Sequence, residues 1–319
     1  MRAIECEGAG GVEVLRYRED CPAPQSRSGW LRIAVEATAL NRADILQRQG
    51  FYPPPAGASA LLGLEAAGRV VEAAGEFALG EAVMALLPGG GYASEVVVDP
   101  RHVLPVPDAV GFPAAGGVME VFLTAYLNLS PLGRLRAGER VLIHGGSGGV
   151  GTAAIQWARQ VGAEVWVTAS AGKLERCRAL GVTRCLDYAS EDFGAELESA
   201  GGADLILDCV GAKYLAANLR ALRDHGRLVV IGLQGGRKAE LDLLTLLQGR
   251  KQVLGSTLRT LDADRKASLI ANFRREVWPL LGSGALKLIV AGSYPLAEAA
   301  AAHVALAEGG AFGKILLEV

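Results

Sequence analysis

No stretch of this chain approaches the about 18 consecutive apolar residues of a membrane span, so a transmembrane helix is excluded on sequence grounds. The opening residues, Met1-Arg2-Ala3-Ile4-Glu5, read as the start of a strand and not as a secretory signal, and a cytoplasmic location is expected. An excess of charge is missing as well: 32 Lys and Arg stand against 34 Asp and Glu, for a net charge of −2. Without a basic footprint, nucleic-acid binding has no electrostatic support. Cysteine is sparse; Cys6, Cys21, Cys177, Cys185 and Cys209 are scattered, odd in number and form no C-x-x-C pair, which favours buried free thiols over disulfides. The four histidines, His102, His144, His225 and His303, have no ligand spacing, and no metal site is expected.

Glycine, by contrast, is abundant, at 42 of 319 residues, and in such a chain a G-x-G-x-x-G match arises easily by chance. Context gives one match its weight. Residues 141–151, VLIHGGSGGVG, read as a buried strand running through a glycine turn straight into a helix, with Gly146, Gly148 and Gly151 at the spacing of a dinucleotide fingerprint. In that reading Gly146 permits the tight turn, Gly148 lets backbone approach a pyrophosphate, and Gly151 lets helix and strand lie close. The helix start then offers unpaired N–H groups and the positive end of its dipole to phosphate. The following helix puts Ala154, Ile155, Ala158 and Val161 on one face, stops at Gly162, and leads into a second strand at 164–168, which completes a β-α-β unit.

The length suggests two domains. From residue 1 to about 107, short β segments broken by Gly and Pro predict a compact β-rich domain, with strands near 3–6, 12–17, 31–38, 68–73, 82–86 and 92–98. Within it, residues 41–50 predict a short helix with Asn41 as N-cap, followed by an extended Phe51-Tyr52-Pro53-Pro54-Pro55 loop. Residues 116–129 turn helical. Strands near Val141, Val165, Cys185, Ile206, Val229 and Val253 then alternate with helices, which argues for a Rossmann doubly wound parallel sheet in an α/β fold. Its ligand should lie beyond the strand C-termini, near Gly146, Asp208 and Gly232. A helix over 263–281, a strand at 293–296, a helix over 298–308 and a final strand at 314–319 are too little for a third core, so the tail is expected to return to the first domain. The expected boundaries are 1–117, 118–258 and 259–319.

A fold selective for NAD places Asp or Glu at the end of the second strand, about 20 residues beyond the glycines, to accept from the ribose 2′-OH. Here that place reads Thr168-Ala169-Ser170-Ala171-Gly172-Lys173 and holds no acid. Ser170 as donor and Lys173 as counter-charge suit a 2′-phosphate, so NADPH is the expected cofactor.

Five stretches carry a resemblance to a known family: NRADILQRQGFYPPP at 41–55, GLEAAGRV at 63–70, the glycine turn, LILDCVG at 205–211 and GKIL at 313–316. Together they resemble the zinc-free quinone oxidoreductases of the medium-chain dehydrogenase/reductase superfamily, most of all the group that contains the p53-inducible quinone oxidoreductase. The resemblance covers essentially the whole chain. It implies a discontinuous, GroES-like β-rich catalytic domain beside the Rossmann domain. Where zinc alcohol dehydrogenases of that superfamily carry a zinc-binding cysteine and G-H-E, this chain has Asn41 and Gly63-Leu64-Glu65, and the structural zinc lobe is replaced by a glycine loop at 87–93. Metal-assisted alcohol oxidation is therefore not expected.

The resemblance further implies that Asn41 and Tyr52 line the substrate pocket and that Thr124 sits near the nicotinamide. It puts Ser147, Gly149 and Val150 at the pyrophosphate, Ser170, Lys173 and Tyr188 around the 2′-phosphate, and Gly232, Leu233 and Lys314 along the cofactor's other edge. Tyr52 is the expected hydrogen-bond donor to a quinone oxygen, with Asn41 orienting. No Asp, Glu or His stands out as a tuned acid, so the last proton is expected from water. The expected activity is NADPH:quinone reduction by zinc-independent hydride transfer. An NADPH-dependent reductase of α,β-unsaturated ketones or aldehydes is the alternative enzyme, and a crystallin-like NADPH-binding structural protein the alternative of another class. A homodimer or tetramer is implied, formed through the sheet edge near Val253.

Overall fold

The computed structural model describes residues 1–319, which divide into two units, residues 1–123 with 259–319 and residues 124–258. No helix is long and apolar enough to cross a membrane.

The first unit opens with a hairpin of β1 (Ala3–Cys6) and β2 (Leu15–Arg18). Then come β3 (Leu31–Ala39), α1 (Arg42–Arg48), β4 (Glu65–Glu72), β5 (Ala82–Leu86), β6 (Glu95–Val98), β7 (Val103–Pro105) and α2 (Met119–Leu127). Its hydrophobic period is two: in β3, Leu31, Ile33, Val35 and Ala37 are buried, the first three in a core shared with Val70, Val83 and Val96. Fully burying side chains of this size contributes roughly 1.5–3 kcal/mol each. The strand expected at 92–98 starts only at Glu95, because Ala93 is held by an isolated bridge to Ala3.

In the second unit β8 (Arg140–His144), α3 (Gly149–Val161), β9 (Glu164–Ala169), α4 (Leu174–Ala179), β10 (Arg184–Asp187), α5 (Phe193–Ser199) and β11 (Ala203–Asp208) alternate. They are followed by α6 (Leu215–Ala221), β12 (Leu222–Val230), α7 (Leu243–Gln248) and β13 (Gln252–Gly255). The six strands form one parallel sheet in the order β10-β9-β8-β11-β12-β13, the doubly wound topology. Its central strands are apolar runs, as double-sided cover requires: Val141, Leu142 and Ile143 are wholly buried.

The tail supplies α8 (Ala263–Glu276), α9 (Trp278–Gly282), β14 (Val290–Pro295), α10 (Ala299–Ala307) and β15 (Lys314–Glu318). β15 pairs with β3, so residues from both ends of the chain share a seven-stranded sheet. The single helix expected over 263–281 is two, interrupted at Val277, with Pro279 in the first turn of the second, where its missing N–H costs nothing. The junction expected after residue 117 lies at Leu123, within α2. The turn before α2 explains the shift: a Cβ on Gly116 would meet the Ala37 backbone at 2.7 Å, so this segment is packed into the first sheet.

Candidate active site

In the second unit, β8 ends at His144 and the chain turns on Gly145, whose φ of +69° only glycine adopts without cost. The turn glycine is thus Gly145, not Gly146 as its motif position suggests. Gly146 is required for another reason, since a Cβ there would lie 2.7 Å from the Val167 side chain on β9. A Cβ on Gly151 would meet the Gly145 carbonyl oxygen at 2.2 Å, so close helix-to-turn packing depends on it. Gly148 differs from both: the nearest atom to a Cβ there is 3.6 Å away. The protein does not need that glycine for packing, since a Cβ there would make only an ordinary contact with the Gly145 carbonyl oxygen. Gly148 is the N-cap of α3, so the first-turn N–H groups of Gly149, Val150 and Gly151, like Ser147 in the turn, stand at a helix N-terminus.

Beneath the turn, polar side chains tie three strand ends together. His144 Nε2 lies 2.8 Å from Asn218 Oδ1 and Nδ1 2.9 Å from Thr168 Oγ1, while Asn218 Nδ2 donates to Asp208 at 3.1 Å. Because the Asn218 amide nitrogen is given to Asp208, its oxygen accepts from His144 Nε2–H, and Nδ1 accepts from Thr168. Burial holds the His144 pKa down at about 4, so the ring is neutral.

Ser170 caps the short turn after β9, and the Lys173 N–H donates to its carbonyl at 2.9 Å. Lys173 is the N-cap residue of α4, its ammonium partly desolvated, which lowers its pKa. The Tyr188 N–H bonds to the Ala169 carbonyl at 3.2 Å, which brings Tyr188 beside Ser170, with its ring exposed. Gly232 and Leu233 follow β12, where Gly232 packs on the Cys209 backbone and Leu233 is 56% exposed. All these residues lie at the C-terminal edge of the parallel sheet.

The first unit holds a cluster of charges. Asn41 caps α1, and the Asp44 carboxylate accepts the Asn41 N–H at 2.7 Å. The Asn41 amide donates to Glu65 at 3.0 Å, and its oxygen accepts from Lys314 Nζ at 2.7 Å. Lys314 also donates to the Leu40 carbonyl at 2.7 Å and pairs with Glu65 at 2.8 Å. Those three acceptors use all the hydrogens of its ammonium. Lys314 therefore serves as the counter-ion of Glu65, with no ammonium hydrogen left over for the cofactor edge along which it is expected. Tyr52 is half-buried beneath the Arg259 guanidinium, which lies 5.2 Å from its ring centre. Thr124 sits one helical turn after Glu120 on α2.

Glu120 is the residue that the sequence reading missed. Its N–H donates to Glu65 Oε2 at 2.9 Å. Burial, then Glu65 and Asp44, raise its carboxyl pKa to about 8 against the pull of Lys314 and Lys266. Burial likewise lifts Asp44 to about 6. A tuned acid is thus present where none was expected. The available signal was an acid four residues before Thr124 in an otherwise apolar helix. Behind the cluster, Arg48 donates to His303 Nδ1 at 3.1 Å, which leaves Nε2–H for the Tyr92 oxygen at 3.2 Å and the Tyr92 hydroxyl for Asp44 at 3.3 Å.

No group of three His, Cys, Asp or Glu side chains has the arrangement of a metal site. Near Asn41 and Glu65 a metal would have to displace the buried Lys314 ammonium, so these residues do not fit zinc.

A parallel doubly wound sheet with a glycine turn at its C-terminal edge, joined to a β-rich unit with a polar cluster, defines the class of nicotinamide-dependent dehydrogenases and reductases. Family models agree: residues 27–108 match the alcohol dehydrogenase GroES-like domain and residues 149–274 the zinc-binding dehydrogenase model. The mouse synaptic vesicle membrane protein VAT-1 homolog is 31% identical over 99% of this chain and 83% of its own length. The chain belongs to the medium-chain dehydrogenase/reductase superfamily. It is also 40% identical, over 73% of its length, to the phenolphthiocerol synthesis polyketide synthase Pks15/1 of Mycobacterium bovis, of which the match covers 11%. Solved structures that superpose on it include an NAD-dependent alcohol dehydrogenase (TM-score 0.88, 29% identity, 100% of both chains). The quinone oxidoreductase of Pseudomonas syringae pv. tomato DC3000 gives 0.89 at 28% identity over 100% and 99% of the two chains, and CurK enoyl reductase 0.87 at 26% over 99% and 98%.

Proposed function

We propose that the chain is a cytoplasmic, zinc-independent NADPH:quinone reductase. The observation that carries the cofactor choice is the end of β9, where Ser170 and Lys173 stand in place of a ribose-binding acid, with Tyr188 alongside. Gly148, Gly149 and Val150 would hold the pyrophosphate by backbone N–H groups. Gly232 and Leu233 would lie against the cofactor from the neighbouring strand end. When bound, the reduced nicotinamide supplies a hydride. The protein's part is to position the acceptor and stabilise the charge that develops on its oxygen. Tyr52, whose pKa is raised chiefly by burial, stays a neutral phenol and so a donor, and Asn41 is locked by Glu65 and Lys314 in one orientation. The likeness to a quinone oxidoreductase supports this reading.

Glu120 favours a second reading, reduction of α,β-unsaturated carbonyl compounds, because carbon protonation needs an acid and this one has a pKa of about 8. The likeness to an enoyl reductase supports it. Initial rates on 1,2-naphthoquinone and on a panel of enones, each with NADPH and NADH, test both. Faster turnover of the quinone with NADPH is expected. Faster turnover of the enones selects the second reading, and equal rates with both cofactors count against the phosphate pocket.

We also propose a homodimer through β13, the open edge of the parallel sheet. Val253 on that strand is 41% exposed, and Leu243, Leu244 and Leu247 of α7 are 60–73% exposed. Val253→Lys should shift the sedimentation coefficient to that of a monomer.

A further inference from the structure

The charge cluster of the first unit sorts into two layers. Asp44, Glu65, Lys314, Lys266 and Arg259 are buried, whereas Asn41, Tyr52 and Glu120 keep part of their surface open. Of the open three, Glu120 is the only ionisable acid in the physiological range. Its carboxyl accepts no hydrogen bond from the protein, yet it is not among the sealed unpaired groups. α2 singles it out again. Every residue from Met119 to Leu127 is buried except Glu120 and Thr124, and a spacing of four places these two on one stripe of the helix. A carboxyl kept for structure would be paired, as Glu65 is with Lys314 and Asn41. An unpaired acid on the one open stripe of a sealed helix is placed to meet a ligand.

We propose that the carboxylic acid of Glu120 is the proton donor of the reduction. This rests on the reductase reading above. The acceptor gains a hydride from the reduced nicotinamide dinucleotide, so a C–H bond forms, a π bond of the acceptor breaks, and its electron pair comes to rest on an enolate oxygen. The O–H bond of Glu120 then breaks. Its proton goes to that oxygen, or to the α-carbon of an enolate, and the glutamate left behind is reprotonated by water.

The surroundings keep the acid charged with its proton. Glu65 and Asp44 oppose ionisation, Lys314 and Lys266 favour it, and burial outweighs them. Tyr52 and Arg259 face the same group, and the negative form of Glu120 in turn raises the Tyr52 pKa. With a pKa of about 8, Glu120 is protonated at neutral pH, and the donor is lost as the pH rises through that value.

The test uses Glu120→Gln, which matches the neutral acid in shape and should fold normally at pH 7, and Glu120→Asp, which keeps an acid. In the wild type, kcat on an enone should fall by roughly tenfold per pH unit above about pH 8. In Glu120→Gln that limb should vanish and kcat drop by about 100-fold, while the Kd for NADPH stays within about twofold. Glu120→Asp should keep the limb. Independently of turnover, infrared difference spectra of the cofactor-free wild type should show a protonated carboxyl at pH 7 that titrates near pH 8 and is missing in Glu120→Gln. Wild-type rates and an unchanged limb in Glu120→Gln, or no such carboxyl band, overturn the proposal alone. A wild type that binds NADPH but turns over no acceptor overturns the reductase reading and this proposal together.

Discussion

The two polar sites of this chain are built by opposite means. At the glycine turn of the second unit, the polar groups are backbone N–H donors from consecutive residues at a helix start, and the one buried titratable ring beneath them, His144, is neutral. In the first unit the working groups are side chains, and Asn41, Glu65, Glu120, Lys266 and Lys314 come from distant parts of the sequence. A backbone site depends on steric room, so it is sensitive to an added methyl group. A charged side-chain site depends on mutual neutralisation, so it is sensitive to the loss of one partner.

That contrast can be broken most forcefully at Lys314. Replacement by Met leaves Glu65, only 1% exposed, without its counter-charge, and should cost about 3–5 kcal/mol of stability in denaturant titration. A loss below about 1 kcal/mol, the range of a surface pair, would show that the pair is not the keystone described here.

The glycines sharpen it next. Gly151→Ala forces a Cβ against the Gly145 carbonyl oxygen and should destabilise the fold by about 1–3 kcal/mol. Gly148→Ala meets nothing nearer than 3.6 Å, so melting should barely change while dinucleotide affinity falls by about tenfold, or ~1.4 kcal/mol. If Gly148→Ala instead unfolds the protein and leaves affinity intact, that glycine is structural.

A further test concerns acid. His303 and His144 have pKa values held at about 3 and about 4, below the 6.5 of an open chain. The unfolded chain then binds the additional protons, so stability should fall as pH drops from 6.5 through 4 to 3. His303→Gln keeps a donor and an acceptor and should flatten part of that slope in melts between pH 7 and 4. An unchanged slope would assign acid sensitivity elsewhere.

The same contrast explains what could be read from the sequence. The alternation of strands and helices in the second unit, and the run from Gly145 to Gly151, are local patterns, so the doubly wound sheet was legible there. Even so, the residue with positive φ proved to be Gly145, because the motif fixes spacing and not dihedral angles. Glu120 was invisible as an acid, since its pKa comes chiefly from burial and then from Glu65 and Asp44, which only the fold brings near. At Lys314 the limit is the converse. Its motif position suggested a ligand, and only the distances to Leu40, Asn41 and Glu65 show that its hydrogens are spent. The break at Val277 was signalled by Pro279, but a proline in the first turn of a new helix looks the same in sequence as one ending an old helix.

The most direct test of the account is a titration of the protein with NADPH and with NADH, followed by quenching of tryptophan fluorescence, since Trp157 on α3 and Trp166 on β9 both belong to the second unit. Saturable quenching at about tenfold lower concentration of NADPH than of NADH is expected, corresponding to ~1.4 kcal/mol from the 2′-phosphate contacts. Equal affinities, or no binding of either, would contradict it.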